Sequence, residues 1–177
     1  MNNYKPKYVV GNTYHKLAQT ENAANAFGPW NPAEFTVEDS AFGFIVMENG
    51  ATIYLESSWA LNSLDVGEAQ TTLHGTQGGA DMKDGLRING EADGMMYDKT
   101  MVLEPGGVDF YDGSGDDPAY LEAKQWIESI QNDTEPVVSP EQALVVTQIL
   151  EAIYQSAKTG APVYINQHKE ELGKILV

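Results

Sequence analysis

Between Ala41 and Trp59 the chain alternates with a period of two. Phe42, Phe44 and Val46 fall on one side of a first strand. Ile53, Leu55, Ser57 and Trp59 fall on one side of a second, with Tyr54, Glu56 and Ser58 opposite. Asn49-Gly50 stands between the two runs. That dipeptide is the strongest short hairpin signal: a type I′ turn needs positive φ at both central residues, and Asn and Gly accept it at least cost. An antiparallel sheet with an apolar face follows. Similar patterning predicts a strand at Lys7–Thr13 and another at Glu68–His74. Short strands are then predicted at Ala80–Met82, Leu86–Asn89, Met95–Asp98 and Lys99–Leu103, set apart by Asp84-Gly85, Asn89-Gly90 and Asp93-Gly94.

The period changes after Asp116. Ala123, Trp126, Ile127 and Ile130 recur at helical spacing, which predicts an amphipathic helix over Pro118–Gln131. A second helix opens at Ser139-Pro140-Glu141-Gln142, where serine can cap, proline needs no N–H partner and Gln142 can reach back as a capping box. Its expected apolar stripe is Ala143, Val146, Leu150, Ile153 and Ala157, and Lys158-Thr159-Gly160 closes it. Val163–Ile165 reads as a short closing strand and Asn166–Leu176 as a terminal helix. Residues 18–35 form a long irregular stretch whose Phe27 and Trp30 need something to pack on. Strands first and helices afterwards predict an α+β fold: an open, mainly antiparallel sheet with amphipathic helices on one face, in a single domain over residues 1–177.

Composition narrows what such a domain can do. The 177 residues include 26 Asp and Glu against 10 Lys and Arg, for a net charge of −16, and Arg87 is the only arginine. Nucleic-acid binding needs clustered cations, so that class is excluded. The acidity is read as a solvated surface. With no cysteine, disulfides, thiolate metal sites and cysteine nucleophiles are ruled out, which suits a cytoplasmic protein. No run approaches the roughly 18 apolar residues of a membrane span, and the first residues carry no apolar signal segment.

Several stretches, taken in order, resemble a known family. These are Val37-Glu38-Asp39, Glu48 to Thr52 running on to Leu55–Ala60, Gly75–Ala80, and Pro136 to Val163, with the loop from Phe27 to Trp30 ahead of them. Together they resemble the C-terminal domain of the glucose–fructose oxidoreductase/inositol dehydrogenase/MocA family, over nearly the whole chain. Members of that family are two-domain NAD- or NADP-dependent oxidoreductases. Their N-terminal Rossmann half carries a Gly-rich fingerprint and a Glu-Lys-Pro motif with the catalytic lysine. Neither motif is present here: Gly113-Ser114-Gly115 is followed by Pro118 where a third glycine would fall, and Lys5-Pro6 is preceded by Tyr4. The resemblance begins just downstream of the family's catalytic helix, which makes Met1 an expected internal methionine of a longer protein.

The resemblance implies the C-terminal, substrate-contacting and oligomerising domain of a sugar- or polyol-type dehydrogenase. On its own the domain is expected to be inactive, with no catalytic, cofactor-binding or metal-ligating residue. NAD or NADP is expected for the full-length enzyme and not for this chain. The family's C-terminal sheet faces the nicotinamide, which makes Trp30 and Trp59 candidates for contact with substrate; the alternative for Trp59 is a core position in register with Ile53 and Leu55. Tyr14 and His15, at the end of the first strand, are further candidates for the substrate face. The resemblance also implies a homodimer or higher oligomer through the sheet, across a mixed face expected to carry Tyr54, Glu56, Ser58, Gln70 and Thr72. A stand-alone sugar-binding or scaffolding module, or a dimerisation fragment, is the alternative.

Other clusters carry less. His15, His74 and His168 are too far apart in sequence to form a close zinc pair. Asp109–Asp117 lacks the order of a calcium loop. Glu38 and Asp39 are adjacent on an extended run and so point apart, and Ser57-Ser58 has no nucleophile elbow.

Overall fold

The computed structural model describes residues 4–20, 30–64, 70–83, 85–101 and 118–165. The expected helix at 166–176, the Asp109–Asp117 loop, Phe27 and His168 lie outside the described residues. The chain divides into two compact units, residues 1–62 with 138–177, and residues 63–137.

The first unit holds strands β1 (Pro6–Tyr14), β2 (Ser40–Met47), β3 (Thr52–Ser58) and β8 (Val163–Tyr164), in the antiparallel order β3-β2-β1-β8. Helix α2 (Pro140–Thr159) packs on one face of this sheet. The register aligns Val9, Ile45 and Ile53 on that face and Val10, Phe44 and Tyr54 on the other. The core is Val9, Ile45 and Met47 from the sheet, Ala152 and Ile153 from the helix, and Ile165, with Leu55, Ile149 and Val163 around it. Each fully buried aliphatic side chain contributes about 1.5–3 kcal/mol.

The helix comes close because the sheet beneath it is bare. Gly11 and Gly43 are cross-strand partners. A Cβ on Gly43 would lie 2.6 Å from Ile153 Cδ1, and one on Gly11 would lie 2.7 Å from Ile153 Cγ2. The same geometry corrects the expected helix stripe. The buried positions are Ala152, Ile153 and Ser156, with Ile149 beside them, while Val146 and Leu150 are exposed. Small side chains flank Ile153 because the helix sits down onto the glycines. Ser156 has a further task. Its Oγ accepts the Gly11 N–H at 3.0 Å, just beyond the point where β8 stops pairing with β1.

The hairpin forms where the alternation predicts, but its turn is of another type. Gly50 alone has positive φ (87°), and Asn49 does not. The Gly50 N–H donates to the Met47 carbonyl (3.0 Å), and the Met47 N–H to that of Ala51 (2.9 Å). That is a three-residue loop ending in a left-handed glycine, which places the extra residue in a bulge. Helix α2 starts as its sequence predicts. Ser139 Oγ accepts from Gln142 N (3.3 Å), Gln142 Oε1 accepts from Ser139 N (3.1 Å), and Gly160 closes the helix at φ 69°.

The second unit holds a meander, β4 (Thr72–His74), β5 (Gly78–Asp81), β6 (Leu86–Ala92) and β7 (Met95–Met101), paired in sequence order. The α+β class stands, with two antiparallel sheets in place of one. Thr72 therefore belongs to a different sheet from Tyr54, and Gln70 precedes β4 outside any strand. The type I′ turn expected at Asn49-Gly50 is found instead at Asp93-Gly94, where φ is 53° and 75°. Asn89-Gly90 is no turn: Gly90 is paired with Tyr97 inside the ladder, and the tyrosine ring covers the space a Cβ would fill. The strands expected at Met95–Asp98 and Lys99–Leu103 are continuous as far as Met101 in β7, and residues 102–103 lie outside the described residues. Arg87 bridges to its cross-strand partner Asp81 through Nε (2.8 Å) and Nη2 (2.5 Å), and this hydrogen-bonded ion pair lowers the Asp81 pKa. Helix α1 (Pro118–Asn132) ends in a Schellman motif with Asp133 left-handed, and Trp126, Ile127 and Ile130 are exposed on it.

Two outcomes test this packing. Ser139→Ala removes the cap and is expected to lower stability by about 0.5–2 kcal/mol, read as a lower urea midpoint. Gly43→Ala is expected to cost about 1–3 kcal/mol through overpacking. Combined with Ile153→Val, which deletes the Cδ1 it would strike, its cost falls below the sum of the two single changes in a double-mutant cycle.

Candidate functional site

The end of β1 and the start of β2 are joined through one buried carboxylate. Asp39 precedes β2 and is 2% exposed. Its N–H donates to the Tyr14 carbonyl at 2.8 Å, which extends the strand pairing by one bond. Beyond Tyr14 the chain turns into a short 3₁₀ helix, Leu17–Gln19, whose first N–H groups need acceptors. Asp39 Oδ2 accepts three of them, from Lys16 (2.5 Å), Leu17 (2.8 Å) and Ala18 (3.2 Å), and Oδ1 accepts from Ser40 Oγ (2.9 Å). Burial pushes the Asp39 pKa up, but the bonds from Ala18, Ser40, Lys16 and Leu17 together outweigh it and hold the carboxyl below its ordinary 3.8.

Two tryptophans are tied to this turn. Trp30 Nε1 donates to the Ala18 carbonyl (2.7 Å). Trp59, one residue past β3, donates its backbone N–H to the Asp39 carbonyl (3.1 Å) and Nε1 to the Glu38 carbonyl (2.8 Å). The two indoles meet edge to face, with centroids 5.1 Å apart at 85°, and Phe35 packs on Trp59 at 4.3 Å. Both indoles are half-buried. Glu38 turns away from Asp39, as adjacent extended residues should, and its Oε1 accepts from Tyr154 Oη of α2 at 2.5 Å. That bond raises the Tyr154 pKa, with burial adding to it.

Of the four candidates named from the sequence, Trp30 and Trp59 are brought together. Trp59 lies among loop aromatics and not in the helix-covered core. Tyr14 lies elsewhere. Its ring meets Phe42 at 6.0 Å and its hydroxyl accepts from Asn12 Nδ2 (3.1 Å). It extends the open face of the first sheet, where a depression of about 390 Å³ is lined by Val10, Asn12, Phe42, Phe44 and Tyr54 over the glycine pair. His15 sits between Tyr14 and the Asp39-bound turn, and its Nε2 is buried with no hydrogen-bond partner among the described residues. Asp39 and Tyr154 were not singled out as site residues in the sequence. Their partners lie 21–23 and 116 residues away, beyond any local pattern. Among the described residues no cluster of metal-ligating side chains forms, and no helix is long and apolar enough to cross a membrane.

The comparisons with known proteins agree with this architecture. The oxidoreductase family's C-terminal alpha/beta domain, GFO_IDH_MocA_C, matches residues 5–165, and the chain belongs to that family. D-glucoside 3-dehydrogenase of Escherichia coli (strain K12) is 29% identical over 161 residues, which cover 89% of this chain and 42% of that protein. A levoglucosan dehydrogenase in complex with NADH and L-sorbose superposes with a TM-score of 0.65 at 19% identity, over 91% of this chain and 45% of its own. An oxidoreductase from Agrobacterium radiobacter, in complex with NAD+, L-tartaric acid and magnesium, gives 0.62 at 18% identity, over 93% and 44%. The two solved structures establish the fold. This chain spans less than half the length of each relative, and corresponds to the family's C-terminal domain.

Asp39 makes a pH prediction. Its pKa is depressed on folding, so its contribution to stability is present above the unfolded value near 3.8 and is lost as pH falls through the lower folded value. Asp39→Asn is expected to remove about 1.5–3 kcal/mol at neutral pH, the worth of hydrogen bonds to a charged group. The gap between variant and parent should close in urea titrations carried well below pH 4. A gap that stays constant with pH would count against the carboxylate as its source.

Proposed function

We propose that the chain is the substrate-contacting and oligomerising domain, residues 1–177, of a cytoplasmic NAD(P)-dependent sugar or polyol dehydrogenase, inactive by itself. The family match over residues 5–165 carries this reading, and the likeness to a D-glucoside 3-dehydrogenase supports a sugar as substrate. Hydride transfer requires the nicotinamide to be held against a carbon of the substrate. Pyrophosphate recognition uses free N–H groups at a glycine-turned helix start. Helix α2 opens on Ser139-Pro140 instead, where the serine hydroxyl occupies the Gln142 N–H and proline has none to give. On this reading the dinucleotide is held by another part of the full-length protein.

What this chain contributes is a surface. The edge-to-face pair of Trp30 and Trp59 is an aromatic wall suited to the C–H face of a pyranose, with His15 beside the Asp39-bound turn and Tyr14 on the open sheet face as further substrate-face candidates. Methyl D-glucoside, titrated into the chain at millimolar concentration, is expected to shift its tryptophan emission saturably, and to do so less in Trp30→Phe. An unchanged emission throughout would overturn the sugar reading.

The open face of the first sheet supports self-association. Val10, Tyr14, Phe44, Tyr54 and Tyr164 are all exposed there, and a two-fold pairing would bury the patch against its own copy. The charge of −16 opposes this at low salt. Light scattering at physiological salt is expected to give about twice 19.3 kDa, and a mass near the single-chain value would remove the dimer.

A further inference from the structure

Asp39 binds the turn whose Ala18 carbonyl receives Trp30, and its own carbonyl receives the Trp59 N–H. We propose that Asp39 is a positioning residue: its carboxylate, through the turn at residues 16–18, holds Trp30 edge to face against Trp59 and so sets sugar affinity through the pair. The second half of that statement rests on the reading above that the pair faces substrate.

Two independent routes run from this residue. Through its side chain, Oδ2 binds the N–H groups of Lys16, Leu17 and Ala18, and the carbonyl of that same Ala18 receives Trp30 Nε1 at 2.7 Å. Through its backbone, the Asp39 carbonyl receives the Trp59 N–H and Ser58 Oγ, each at 3.1 Å, while the neighbouring Glu38 carbonyl receives Trp59 Nε1. The Ser40 hydroxyl on Oδ1 fixes the carboxylate rotamer. The carboxylate thus sets the position of Trp30, and the backbone at Glu38 and Asp39 sets that of Trp59. At 2% exposure the carboxylate is not available to a ligand, so its influence on binding must pass through the rings.

The network lies outside the apolar cluster between α2 and the first sheet. None of its members belongs to the core of Val9, Ile45, Met47, Ala152, Ile153 and Ile165. Asn at position 39 keeps one acceptor oxygen but puts an NH₂ group either against the three N–H donors or against Ser40. The turn that presents the Ala18 carbonyl should then loosen while the sheet and α2 persist.

The test is circular dichroism at the strong far-ultraviolet indole band, where two indoles at close range give an exciton couplet that Trp126 alone does not. At a temperature where all variants are folded, Asp39→Asn is expected to lose most of the Trp30–Trp59 couplet with its urea unfolding transition still cooperative. Its affinity for methyl D-glucoside should fall about tenfold, on the scale of one lost hydrogen bond. Ser40→Ala, which frees only Oδ1, should weaken the couplet partially, and it serves if Asp39→Asn does not fold. Ser139→Ala, destabilised at a distant helix cap, should leave couplet and affinity unchanged. A full couplet in both Asp39→Asn and Ser40→Ala overturns the proposal, as does an equal loss in Ser139→Ala. A couplet lost in Asp39→Asn with no glucoside response in the unsubstituted chain overturns the substrate reading alone and confirms the anchoring.

Discussion

Helix α2 meets the first sheet where the sheet has no side chains, and much of the first unit follows from that contact. Gly11 and Gly43 face each other across β1 and β2, and Ile153 fills the space above them. A helix held this close can carry only small neighbours beside the isoleucine, which is why Ala152 and Ser156 are the other buried positions. The approach also brings Ser156 within reach of the Gly11 N–H, so the strand edge is satisfied by a hydroxyl where β8 ends. Once one face is closed in this way, the aromatic side chains of β1, β2 and β3 are left on the other. The open face is a consequence of the packed one.

The end of the sheet is organised by a different force. A 3₁₀ turn leaves N–H groups without partners, and a carboxylate is the strongest acceptor available for them. Asp39 supplies it from the adjoining strand start, and the turn in turn offers a carbonyl to Trp30. The aromatic wall is therefore built on backbone hydrogen bonds, with ring packing added between Trp30, Trp59 and Phe35. Such a wall is preorganised before any ligand arrives, which lowers the ordering cost of binding.

The second unit shows how a glycine-rich meander keeps its register. Asp81 and Arg87 are direct cross-strand partners joined by two hydrogen bonds, and Tyr97 covers Gly90 on the neighbouring strand. Both devices act between residues that the sheet places opposite each other, where pairs interact most strongly. Short strands with many glycines have little else to specify their alignment.

Much was determined by the sequence alone. The hairpin over residues 40–58, the capped start of α2 at Ser139 and the meander after Thr72 are local events, governed by alternation, turn residues and capping chemistry within a few positions. The family was legible too, because its motifs are these same local features in a particular order. The tertiary structure decided what depends on distant partners. Asn49-Gly50 promised one turn and formed another, since the strand register admits a three-residue loop with Gly50 alone left-handed. The apolar stripe of α2 is ambiguous in a helix with apolar residues on several sides, and the glycine pair selected Ile149, Ala152, Ile153 and Ser156. Trp30 and Trp59 could be named as candidates singly. Their meeting could not be, because it runs through Asp39, whose role exists only once residues 16–18 fold back onto it.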